Sequence, residues 1–130
     1  MADTDYQSLE GVNGIASDIT PWDYAKRYLP FGEHATEEEV HGRLLSGTAH
    51  LWNGPGCSAV TEVGDNGNLH IWLAGGDFGA LLDMLPAAEL FARAMGCPAL
   101  ELGGRSGWHR AMVKYGFETV DDETMIKVLD

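Results

Sequence analysis

Two dense turn signals, Asn53-Gly54-Pro55-Gly56 and Gly64-Asp65-Asn66-Gly67, divide the middle of the chain into three short strand-like runs, Thr48–Trp52, Cys57–Val63 and Asn68–Ala74. In the third run Leu69, Ile71 and Leu73 alternate with His70 and Trp72, the period of a strand with one face in a core. Links this short return the chain beside itself, so the pattern predicts an antiparallel meander. That feature points away from a coiled coil or a helical repeat and toward a sheet dressed with helices.

The flanking segments carry helix signals. In Thr20-Pro21-Trp22-Asp23 a Thr cap, a Pro at the first helical position and an acidic first turn start a helix running to about Leu29, which Pro30 and Gly32 break. Thr36 with Glu39 three positions on makes a capping box for a second helix ending near Gly47, with Val40, Leu44 and Leu45 on one face. Phe78–Met95 has helical periodicity that Pro86 should kink or divide, with Leu82 and Leu85 on one part and Ala87, Leu90, Phe91 and Ala94 on the other. Gly96 stops it, and Pro98–Leu102 reads as a short buried strand. Ser106 then caps a helix whose Trp108, Ala111, Met112 and Tyr115 fall on one stripe, ended by Gly116. Phe117–Val120 and Thr124–Leu129 close the chain as strands around Asp121-Asp122-Glu123. The predicted class is α+β, a mixed and mostly antiparallel sheet flanked by helices.

At 130 residues one core should suffice, burying about two thirds of the unfolded surface. Residues 19–130 read as a single domain, preceded by a polar acidic arm over 1–18, which would order only against a surface of the fold or of a partner. With 20 acidic and 8 basic side chains the formal net charge is −12, which repels phosphates, so nucleic acid is not an expected partner and an anionic membrane surface is disfavoured. Cys57 and Cys97 lack metal-type spacing and read as reduced core thiols. No apolar run approaches membrane-helix length, and Met1–Glu10 lacks the features of a signal peptide, which gives a cytosolic address.

The last fifty residues, a helix to Gly96, a strand to Leu102, Arg105, a short helix, then Tyr115-Gly116-Phe117 and a closing hairpin, resemble the C-terminal half of GNAT acetyltransferases. The Leu69–Leu73 strand and the Gly104-Arg105-Ser106-Gly107-Trp108 run are similar to GNAT-like proteins encoded by tailed phages and prophages. The resemblance spans about residues 40–130. It implies a GNAT-like fold and a cradle for the pyrophosphate of acetyl-CoA in Ala74-Gly75-Gly76-Asp77-Phe78-Gly79-Ala80, with Gly76, Gly79 and Ala80 against the cofactor. The sequence departs from the family there: the loop is short, lacks the opening Arg or Gln, and places the anion Asp77 where a phosphate would sit, so a helix cap after a glycine turn explains it as well. The family's general-acid tyrosine falls four residues before the helix-ending Gly, where this chain has Met112, which cannot donate a proton.

Candidates for chemistry are therefore Tyr115 and His109 as proton donors and Glu101 and Glu62 as bases. Arg105, in a glycine-flanked loop, is either a clamp for an anionic ligand or a structural residue. His34, Glu37, Glu38 and His41 share helical spacing, but the acidic run is accounted for by the positive helix end, and no metal is expected. Two readings stand open. One is a domain with a degenerate site and no cofactor, acting as an accessory or internal virion or assembly protein through protein contacts in the host cytoplasm or packaged in a virion. The other is an acetyl-CoA-dependent N-acetyltransferase acting on a cationic amine such as a polyamine, a basic peptide or an aminoglycoside. A third, an acidic inhibitor of a nucleic-acid enzyme, requires contiguous carboxylates on one face.

Overall fold

The structure, a computed structural model, describes residues 19–103 and 106–130, and of residues 106–109 the backbone only. The arm expected over 1–18, Gly104 and Arg105 lie outside the described residues. The elements in chain order are α1 (Pro21–Lys26), α2 (Glu37–Ser46), β1 (Ala49–Gly54), β2 (Cys57–Val63), β3 (Leu69–Gly76), α3 (Phe78–Asp83), α4 (Leu85–Ala94), β4 (Ala99–Gly103), α5 (Ser106–Val113), β5 (Glu118–Asp121) and β6 (Thr124–Val128). The six strands are ordered β1-β2-β3-β4-β6-β5. Strands β3 and β4 pair in parallel, whereas β6 pairs antiparallel with both β4 and β5. This is the mixed α+β class expected.

Local chemistry accounts for the boundaries. Thr20 Oγ1 accepts from the Asp23 N–H at 3.0 Å and Thr36 Oγ1 from that of Glu39 at 3.2 Å, each satisfying an otherwise unpaired helix donor. The Glu39 side chain pairs with Arg43 at 2.8 Å, one turn further along the helix. Gly47, at φ 83°, ends α2 in the left-handed region that favours glycine. The long helical pattern after β3 divides at Met84, and Pro86 sits in the first turn of α4, where its missing N–H costs nothing.

The chain forms two compact units. In one, residues up to 60 and 73–84 contribute α1, α2, β1, α3, the first part of β2 and the last part of β3 around Ala25, Leu29, Val40, Ala49, Trp52, Cys57 and Val60, all buried. In the other, residues 61–72 and 85–130 enclose Leu69, Ala88, Ala92, Cys97, Leu100, Leu102, Met112, Phe117 and Met125. Cys57 and Cys97 are buried free thiols.

Three positions differ from the helical stripes read in the sequence. Leu45 is 77% exposed, because one residue past Leu44 the helix has turned about 100° away from the Val40 face. In α4 the fully inward residues are Ala88 and Ala92, while Leu90 is exposed: small side chains line the approach of this helix to β4. Tyr115 lies beyond the end of α5 at Val113, in the turn leading to Gly116, and is 41% exposed rather than on a core stripe. Among the described residues no helix is long and apolar enough to cross a membrane.

Candidate functional site

The loop expected over Ala74–Ala80 is instead the end of β3, which runs to Gly76, the single linking residue Asp77 and the start of α3 at Phe78, and this junction is held by the chain's own backbone. A Cβ at Gly75 would run into the Tyr28 carbonyl oxygen. At Gly76, φ 100°, it would meet the Gly56 carbonyl, lie 2.7 Å from the Cys57 Cα and 3.0 Å from the Tyr28 ring. These glycines serve close backbone approach. The Asp77 N–H donates to Gly56 O at 2.9 Å, and Asp77 Oδ1 accepts from the Ala80 N–H at 2.9 Å. The carboxylate thus occupies the donor that a phosphate would use at this helix start. At Gly79 an added Cβ meets only Asp77 Oδ1, at 3.3 Å.

Behind this junction, Tyr24 of α1 pins the β1–β2 turn. Its hydroxyl donates to Gly54 O at 2.7 Å and accepts from the Gly56 N–H at 3.0 Å. Burial pushes the Tyr24 hydroxyl above its usual pKa and the Cys57 thiol likewise, so neither is an activated acid or nucleophile. Tyr24 escaped the sequence reading because its partners lie about thirty residues away, with no periodicity linking them.

A second constellation lies wholly within the unit of residues 61–72 and 85–130. The parallel register sets His70 of β3 beside Glu101 of β4. The Gly64–Gly67 turn adds two amides: Asn66 Nδ2 and Asn68 Nδ2 donate to Glu101 Oε1 at 2.8 and 3.1 Å. Asn66 Oδ1 also accepts from the Asn68 N–H at 3.0 Å, which fixes both amides to one turn. The other carboxylate oxygen, Oε2, lies 3.6 Å from His70 Nδ1, too far for a hydrogen bond, so Nδ1 is buried without one. Glu101 is 19% and His70 28% exposed at the side chain. Burial raises the Glu101 pKa, but the donors from Asn66 and Asn68, helped by His70 and opposed by Asp121, bring it below the ordinary carboxylate value. The result is an anchored, ionised carboxylate beside an imidazole, a pairing able to orient a proton acceptor.

The remaining sequence candidates are dispersed. Glu62 is half-buried on β2. The side chains of His109 and Trp108, like all of Arg105, lie outside the described residues. Met112 is 3% exposed and packed in the core. His34 is exposed, while His41 stacks on Trp22 with ring centroids 4.6 Å apart and planes within 6°. Glu37 lies 3.8 Å from Lys26. Among the described residues no group of three or more His, Cys, Asp or Glu side chains is placed to hold a metal ion. No protein-family model, curated protein or solved structure matches the chain.

Proposed function

We propose that this chain is a GNAT-like domain of the phage type whose cofactor cradle has been given over to packing, and that it acts through protein contacts as an accessory or internal virion component. The observation that carries this reading is the Asp77 carboxylate on the Ala80 N–H, an anion seated where the cofactor's phosphate would be held. The filled space over Gly75 and Gly76 and the buried Met112 in place of a proton donor support it further. The acidic surface then serves solubility and the choice of partner.

Titration calorimetry of the protein with acetyl-CoA and with free CoA tests it, with Gly79→Glu as the control for cradle binding. An added Cβ at Gly79 comes 3.3 Å from Asp77 Oδ1, so circular dichroism of the variant, expected to match the wild-type protein, accompanies the titration. No heat at millimolar cofactor is expected. Micromolar binding that Gly79→Glu abolishes would overturn the reading in favour of an acetyl-CoA-dependent N-acetyltransferase acting on a cationic amine. One observation favours that second reading, the anchoring of Glu101, a candidate base, beside His70.

A further inference from the structure

Charge is segregated within the unit of residues 61–72 and 85–130. Between Leu102 and Phe117 the chain has three of its eight Lys and Arg residues and no Asp or Glu, in a molecule of net charge −12. Arg110 and Val113 of α5 and Lys114 just past it are spaced to share one side of the helix, and all three are exposed, Val113 to 57%. Lys26, Arg43, Arg93 and Lys127 each meet a carboxylate, whereas Arg110 and Lys114 have none among the described residues. The converse holds at the β5–β6 turn of the same unit. Asp121, Asp122 and Glu123 are consecutive and exposed, Val120 before them is 54% exposed, and β5 is the last strand of the sheet. Asp121 Oδ1 holds the turn by accepting from the Glu123 N–H at 2.8 Å, but no described cation pairs with any of the three carboxylates.

Each patch joins like charges to an exposed apolar side chain, and each has its complement on the other. We propose that the two meet between chains: Arg110, Val113 and Lys114 of one copy seat on Val120 and the acidic β5–β6 turn of a second copy. In a two-fold pair each copy gives one patch and receives the other, so the contact forms twice and the association closes. The repulsion of two chains of like net charge acts at long range and is screened beyond about 8 Å at physiological ionic strength, whereas ion pairs in contact lie within that distance. The inference names a partner for the protein-contact reading above and rests on it for its function.

The experiment is sedimentation of the full chain from micromolar to millimolar concentration at about 0.15 M salt, repeated at about 1 M, where the Debye length falls to about 3 Å. A monomer that becomes a dimer with concentration, and loses the dimer at high salt, is expected. A monomer throughout, or a dimer indifferent to salt, would overturn the proposal. Carbodiimide, which couples an amine to a carboxylate in direct contact, locates the interface in the wild-type protein without any variant. In a mixture of 14N and 15N chains it is expected to join Lys114 of one isotope to Asp122 or Glu123 of the other, and a dimer lacking that link would equally overturn the proposal. Arg110→Glu with Lys114→Glu, and separately Asp122→Lys with Glu123→Lys, alter exposed side chains only and leave Asp121 to hold its turn. Each double variant is expected to be monomeric, and mixing the two to restore a mixed dimer at least about tenfold tighter than either forms alone. Acetyl-CoA binding in calorimetry would strike the protein-contact reading without touching a salt-sensitive dimer, and a monomer in sedimentation would strike this contact alone.

Discussion

Glu101 shows how one turn tunes a distant side chain. Its folded pKa lies below the ordinary value of 4.5, so it contributes stability above that pH and loses the contribution as pH falls through the folded value. Asn68→Ala removes one of the two donors, raising the folded value toward the ordinary one. The variant is expected to be about 1 kcal/mol less stable at pH 7, reduced by partial solvent screening, and to converge with the wild-type protein at an acid pH where the carboxyl is protonated. Urea unfolding at both values checks this, and an offset of the same size at both would refute the link to Glu101 ionisation. The sequence named Glu101 as a base but not its neighbours. Asn66 registered there only as a turn residue and Asn68 only as the start of a strand-like run, because a cross-strand partner 33 or 35 positions away leaves no local periodic trace.

The elements were the most legible level, wherever a stereochemical signal marked both ends. Strand β2 coincides with the expected Cys57–Val63, and α2 runs between its Thr36 cap and Gly47. Helical stripes were less telling: Tyr115 continued the α5 spacing, yet the helix ends before it, and the register of a parallel pair such as β3 with β4 is written in neither strand alone. The glycines at the junction of β3 with α3 illustrate the difference between spacing and contact. Gly75→Ala forces a side chain into the Tyr28 carbonyl and is expected to cost about 3 kcal/mol or abolish folding. Gly79→Ala, inside α3, is expected within about 1 kcal/mol of neutral, since helix propensity offsets a 3.3 Å approach to Asp77. Thermal unfolding of the two variants distinguishes glycines needed for packing from one that leaves room.

Across the whole molecule charge outweighs any single contact. A formal −12 on 130 residues is self-repelling, and the described ion pairs, such as Lys127 with Glu89 at 2.8 Å, engage only part of the acidic set. Raising sodium chloride from about 10 to 150 mM shortens the Debye length from about 30 to 8 Å and is expected to raise the melting temperature by a few degrees. A melting temperature indifferent to salt over that range would show that the acidic residues are spaced too widely to strain the fold. The division into two units bears on how the chain is made. Residues 61–72 belong to one unit and 73–84 to the other, so each is interrupted in the order of synthesis. On the ribosome the first unit stays incomplete until Met84 has emerged, well after the opening of the second has been laid down. The carboxylate of Glu101 joins the amides of Asn66 and Asn68 later still, so a chain stalled between the two would carry α1, α2 and a finished junction of β3 with α3 but no anchored acid.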